Sequence, residues 1–151
     1  MRAALKAITS LEPDVKKTYK MERQFQILTS RLRGRPKDYK MWDHKVFCDG
    51  RAIPVRLFAP SRKRALPLLL FFHGGGWVTG GIENYTGVCA DLAKATNCTI
   101  ASVDYRLAPE HKFPAAVEDC YAVTREFFLG RIPRVNPDSI TLIGDLSLIH
   151  I

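Results

Sequence analysis

The sequence predicts an α/β fold built on a mostly parallel sheet, and three observations predict it. Pro67-Leu-Leu-Leu-Phe-Phe72 is a continuous apolar run, the pattern of a strand buried on both faces rather than one. Strand and helix patterns alternate from residue 67 to 144, which requires helical crossovers between parallel strands, and such crossovers are right-handed. A glycine-rich segment, His73-Gly-Gly-Gly-Trp77, follows the apolar run directly, so the chain can turn sharply where that strand ends.

The elements follow in order. Residues 14 to 30 carry Val15, Tyr19, Phe25 and Leu28 on a polar background, a loose helical spacing. Gly34-Arg-Pro36 then ends the helix, because glycine and proline both oppose its continuation, and forms a linker. Two strands are expected over His44–Cys48 and Ile53–Ala59, joined across Asp49-Gly50. That dipeptide is a hairpin signal, since the tight turn demands positive φ. In the second strand Val55, Leu57 and Ala59 alternate with residues expected to be polar or exposed. After the apolar strand and its glycines, a helix is expected from about Asn84 to Ala95 with Val88, Leu92 and Ala95 on one face. The strand Thr99–Val103 is next. A further helix starts near Phe113-Pro114, where proline suits the first turn, and runs through Val117, Tyr121 and Phe128 to a stop at Gly130. Ser139–Ile143 is the last strand.

Composition excludes several classes. A hydrophobic content of 46% with 25% charge is that of a globular domain, not a disordered chain. No apolar run approaches the roughly 18 to 20 residues of a membrane helix, so no stable membrane insertion is expected. Met1–Lys17 is basic but lacks the apolar stretch of a signal peptide, which points to a cytoplasmic location. Cys48, Cys89, Cys98 and Cys120 form no C-x-x-C pair and have no nearby histidines. Buried reduced thiols are expected, with neither a metal site nor a disulfide framework. The net charge of +8 is uneven: residues 1 to 66 hold 17 Lys/Arg against 6 Asp/Glu, and residues 67 to 151 hold 6 against 9. Arg31-Leu-Arg-Gly-Arg-Pro-Lys37 could meet an anionic partner. No aromatic residue interleaves with its charges, so a solvated helix end and linker is preferred and no nucleic-acid partner is expected.

Chemistry concentrates in the glycine segment. Consecutive glycines let backbone N–H groups face a ligand without side chains in the way, so the loop can host an oxyanion hole. A glycine triplet alone would equally suit an ordinary turn. The HGGG type after a buried strand is, however, an oxyanion-loop signature of lipases and esterases.

Two long motifs stand in register: His73-Gly-Gly-Gly-Trp-Val-Thr-Gly80, and Asp104-Tyr-Arg-Leu-Ala-Pro-Glu-His-Lys-Phe-Pro-Ala-Ala116. Together they resemble the hormone-sensitive-lipase family of α/β-hydrolases, the bacterial carboxylesterases and lipases, over roughly residues 40 to 145. The resemblance implies ester hydrolysis by a Ser-His-Asp triad without a cofactor, and a helical cap supplied partly by N-terminal residues. It implies that Gly75 and Gly76 donate oxyanion N–H groups while His73 and Gly74 shape the loop. The second motif is supportive by the same resemblance: Asp104 and Arg106 could pair to brace neighbouring loops, and neither Asp104 nor Glu110 is the triad acid, since the chain order on this fold is serine, acid, histidine.

The resemblance also implies that the Leu68–Phe72 strand lies beside both Thr99–Val103 and Ser139–Ile143, and that Ser139–Asp145 leads into a nucleophile elbow, with Asp145 as a supporting motif residue. Instead Leu146-Ser-Leu-Ile-His-Ile151 follows. Ser147 is displaced by one position, and Leu148 and Ile149 stand where a tight turn needs glycine. Ser147 and His150 lie three apart with no acid to orient the histidine. No residue is therefore assigned as nucleophile, acid or base. The hexapeptide resembles translated sequencing-adaptor DNA and is expected to be non-native. The expected organisation is a helical cap and linker over 1–40, the first part of an α/β-hydrolase domain over 41–145, cut after the strand leading to the elbow, and a foreign tail over 146–151. Three functions stay open at this point: hydrolysis of a small-molecule ester, amide or peptide hydrolysis on the same machinery, and a non-catalytic basic binding module.

Overall fold

A computed structural model describes residues 15–32, 39–60 and 66–145. The expected linker at Gly34–Pro36, most of the basic run after Leu32, and the tail Leu146–Ile151 lie outside the described residues. The described chain forms helix α1 (Val15–Leu32), strands β1 (Lys40–Cys48), β2 (Arg51–Ala59) and β3 (Leu66–Phe72), helix α2 (Ile82–Thr96), strand β4 (Thr99–Val103), helix α3 (Ala115–Phe128) and strand β5 (Val135–Gly144).

These strands make one sheet in the order β1-β2-β4-β3-β5. β1 and β2 are an antiparallel hairpin turning at Asp49 and Gly50, whose φ of 49° and 72° are the paired positive values the dipeptide predicts. β2 also runs antiparallel to β4, whereas β3 is parallel to both β4 and β5. The apolar run therefore sits where expected, between β4 and the last strand. β5 starts earlier than the sequence suggests, at Val135, because the ladder with β3 is interrupted and resumes at Ile140.

Two apolar layers cover the sheet. Leu57, Leu70, Ala101 and Val103 pack with Cys120, Val123 and Phe127 of α3. Their immediate neighbours Phe58, Phe71 and Ile100 pack with Cys89, Ala90 and Ala93 of α2. Consecutive residues of a strand point to opposite faces, so a sheet with a helix on each side needs apolar residues at every position. This corrects the expected alternation in β2: Phe58 is fully buried, and Arg56 is buried as well. Arg56 is accommodated by pairing, with Nε and Nη2 donating to the Asp43 carboxylate at 2.7 and 3.1 Å and Nη1 donating to Glu83 at 2.8 Å.

The helix faces also differ from expectation. Val88 and Ala95 are exposed, and α2 buries Ile82, Thr86, Cys89, Ala90 and Ala93 instead. Small residues on that face let the helix approach the sheet closely. Asn97, left-handed at φ 54°, closes the helix. In α3 the named Tyr121 and Phe128 are exposed, and Cys120, Val123 and Phe127 face the core. Pro114 caps this helix rather than entering it, and Gly130 at φ 67° follows its end as expected. All four cysteines are free, with Cys48, Cys89 and Cys120 buried. Burial pushes the Cys89 and Cys120 thiols up to about 12.

Candidate functional site

The segment joining β3 to α2 gathers the polar contacts that the core elements lack. The Gly75 carbonyl accepts from the amides of Val78 and Thr79, both at 3.0 Å, and so winds the chain into a tight loop. That turn requires glycine at its first position. Gly75 has φ 120°, and a Cβ there would collide with the Thr79 backbone carbonyl. Gly76 has φ 60° and open space where a Cβ would stand. Among the described residues, neither the Gly75 nor the Gly76 amide donates to a protein acceptor. The loop thus presents two adjacent backbone donors that are free to meet an external acceptor.

His73 is 3% exposed and acts from inside. Its ring stacks on Tyr105 at 4.3 Å and 12°, with Tyr85 at 5.6 Å beyond. Nδ1 lies 2.8 Å from the Gly74 carbonyl. A carbonyl can only accept, so this contact places the ring proton on Nδ1 and leaves Nε2 a bare acceptor. Burial lowers the basicity of His73, which keeps the ring neutral. The Tyr105 hydroxyl donates to the His73 carbonyl. The His73 ring, the Gly74 carbonyl and the Tyr105 hydroxyl are thus tied together at the start of the loop.

Asp145 follows β5 directly and accepts from the Tyr85 hydroxyl at 2.5 Å. Burial, helped by this carboxylate, pushes the Tyr85 phenol up to about 12. The end of β5 is thus joined to α2 beside His73. Asp104 lies on the opposite flank, where Oδ1 accepts from the Ile82 amide at 3.4 Å. A carboxylate at the first turn of α2 is favoured by the unpaired amides there.

The expected pairing of Asp104 with Arg106 does not form. Arg106 turns to α3, where Nε and Nη2 meet the two oxygens of Asp119, each at 2.8 Å, and Nη2 also reaches Glu118 at 3.2 Å. The Arg106 amide donates to the same carboxylate at 3.0 Å. Asp119, whose side chain is 2% exposed, supplies the planar bidentate acceptor a guanidinium matches, which the exposed Asp104 does not. A signal for Asp119 exists in the sequence: it lies four residues before Val123, on the face that α3 buries.

Arg23 and Gln26 of α1 also reach this site, and no local signal announces either. Arg23 donates from Nε to the Val78 carbonyl at 2.7 Å and from Nη2 to the Ala108 carbonyl at 2.8 Å. It also pairs with both oxygens of Glu110, at 3.0 and 3.1 Å. The Gly80 amide donates to Gln26 Oε1 at 3.3 Å. Two cavities border the loop. One, of about 310 Å³, lies between α1 and Gly74, Gly75 and Tyr85; the other, of about 440 Å³, is lined by Gly76, Trp77, His111, Phe113 and Val117.

Comparisons with known proteins agree with this geometry. A family model described as alpha/beta hydrolase fold matches residues 69–147. An arylesterase of Saccharolobus solfataricus is 42% identical over 79 residues, which cover 52% of this chain and 26% of that protein. A carboxylic ester hydrolase of Mycobacterium tuberculosis, LipN, is 49% identical over 70 residues, covering 46% of this chain and 19% of that protein. Among solved structures, the hyperthermophilic esterase of Pyrobaculum calidifontis superimposes with a TM-score of 0.76 at 33% identity over 93% of this chain. The carboxylesterase EstE1, cloned from a metagenomic library, gives 0.76 at 34% identity over 88%. This chain covers 46% and 47% of those two structures, so it spans about half of each solved relative.

Proposed function

Because the chain belongs to the alpha/beta hydrolase fold family, we propose that the intact protein hydrolyses carboxylic esters of small molecules, with the amides of Gly75 and Gly76 as its oxyanion donors. One observation carries the proposal: two adjacent backbone N–H groups stand without acceptors among the described residues, on a glycine loop whose form is held by Gly75, His73 and Tyr105. When an ester carbonyl is attacked, its oxygen gains negative charge. Donors already in place stabilise that charge without reorganising, and each is worth ~2.7–4 kcal/mol of barrier.

The remaining assignments follow. His73 and Gly74 support the loop, Asp104 holds the start of α2, and Asp145 marks the approach to the nucleophile, which the described residues do not include. α1 is assigned to a cap: Met21, Phe25, Leu28 and Leu32 recur at spacings of four, three and four and are all exposed, a stripe suited to another apolar surface. A reducing, cytoplasmic setting is supported by the four free cysteines. Three of the basic residues in the N-terminal half, Arg23, Arg51 and Arg56, are engaged in ion pairs, which disfavours a basic module binding anionic polymers.

The test is hydrolysis of a short-chain nitrophenyl ester by the protein encoded when the source DNA is read on from the Asp145 codon. Turnover is expected there, and none from residues 1–151 alone, since without a nucleophile no acyl-enzyme forms. In the intact protein Gly75→Pro removes one donor and distorts the turn, with an expected loss of at least ~2.7–4 kcal/mol, mainly in kcat. Turnover by residues 1–151 that Ser147→Ala abolishes would show that Ser147 is a working nucleophile and refute the reading of the tail as non-native, whereas an intact protein that hydrolyses no ester would refute the assignment.

A further inference from the structure

Four hydrogen bonds join one side chain of α1 to two loops that the sheet alone does not connect. Arg23 binds the Val78 carbonyl on the glycine loop, and the Ala108 carbonyl and Glu110 carboxylate on the loop after β4. The partners lie 55 to 87 residues away in the chain. The two loops already touch, since the Ala108 amide donates to the Trp77 carbonyl at 2.8 Å. Arg23 closes the opposite side of that contact. The Val78 amide is one of the two that wind the chain around the Gly75 carbonyl, so the same residue is held from the turn by its N–H and from α1 by its C=O. Gln26, three residues on, holds the Gly80 amide at the far end of the loop, and the Tyr19 ring lies 4.8 Å from the Arg23 guanidinium.

Resting on the ester-hydrolase reading above, we infer that Arg23 is a positioning residue for the oxyanion donors, acting as a clamp through which the N-terminal helix sets the direction of the Gly75 and Gly76 amides. A planar guanidinium can make these contacts together, whereas an ammonium is a point charge that cannot reproduce the fork. Small displacements of a preorganised group are costly, and about 1 Å of misplacement can lower a rate on the order of a hundredfold. α1 leaves its apolar side chains exposed at Met21, Phe25, Leu28 and Leu32, so the clamp and Gln26, rather than that stripe, hold it on the loop.

The experiment compares Arg23→Gln and Arg23→Lys with the unsubstituted intact protein, by steady-state kinetics on nitrophenyl butyrate and by amide hydrogen exchange. Arg23→Gln is expected to lower kcat on the order of tenfold to a hundredfold with KM little changed. Arg23→Lys should recover part of that loss. Exchange should quicken at the amides of Val78, Thr79 and Gly80 and stay unchanged in β3 and β4. An unchanged kcat in Arg23→Gln, or exchange that rises equally in the strands, overturns the clamp. If the unsubstituted intact protein hydrolyses no ester, the functional reading fails, and exchange alone then decides: loop amides unaffected by Arg23→Gln overturn the clamp.

Discussion

Helices α3 and α1 have similar lengths and opposite modes of attachment. α3 inserts Cys120, Val123 and Phe127 among the side chains of the sheet and buries the Asp119 carboxylate against Arg106 and Arg51. α1 exposes its larger apolar residues and reaches the domain through Arg23 and Gln26. Burial is non-directional and scales with area, so α3 supplies stability. Hydrogen bonds contribute less net free energy each but fix direction, so α1 supplies geometry to the loop it touches. The two helices should respond differently to substitution, and the contrast can be broken experimentally.

The largest effects are expected in α3. Phe127→Ala should destabilise the intact protein by ~3–5 kcal/mol in urea unfolding, through lost burial and the cavity left behind. Asp119→Ala should cost less, about 1–3 kcal/mol, because the Arg106 amide and guanidinium lose their shared acceptor while Glu118 still pairs with the side chain. Midpoints within experimental error of the unsubstituted protein would show that α3 is not the stabilising helix. A smaller effect is expected at the glycine loop. Gly75→Ala must either leave φ 120° or press its Cβ against Thr79, and should lose more than ~1 kcal/mol of stability. Leu28→Gln on α1 should change the stability of residues 1–151 by no more than about 0.5 kcal/mol, as for an exposed site away from special features. A loss comparable with that of Phe127→Ala would instead mean that the α1 stripe is covered.

How far these differences are legible in the sequence depends on the range of the interactions. β3 announces itself, because burial on both faces forces an unbroken apolar run at 68–72, and the β1–β2 turn does so because Asp49-Gly50 answers a local demand on φ. The glycine loop is legible for the same reason. The buried faces of α2 and α3 are not, since Cys89, Ala90, Ala93 and Cys120 are small while the conspicuous Val88, Tyr121 and Phe128 point outward. Nor is the partner of Arg106, because Asp104 is near in sequence and Asp119 near in space. Arg23 lies furthest from prediction: its contacts span the whole domain, and nothing in residues 19–26 distinguishes it from a solvated charge on a polar helix.

The subtlest distinction between the helices concerns acid. Glu110 accepts both prongs of Arg23, and these bonds hold its carboxyl below the ordinary glutamate value of 4.5. The groups of α1 that face it are Arg23 and Tyr19. A carboxyl lowered in the folded state contributes stabilisation that is fully present above its unfolded value and is lost as pH falls through the lowered, folded value. The clamp should therefore stand unchanged at neutral pH and lose its Glu110 contacts only below about 4.5, while the Arg23 bonds to the Val78 and Ala108 carbonyls remain. The effect on overall stability is expected to be slight, because exposed ion pairs are screened by water. Its local signature should be clear in the amide resonances of residues 76–80 followed against pH. These should shift at acid pH in the unsubstituted protein, while in Glu110→Gln the transition disappears and the neutral-pH spectrum already resembles the acid one. An acid transition of the same size and midpoint in Glu110→Gln would assign it to another group and would remove the distinction between a helix held by charge and one held by burial.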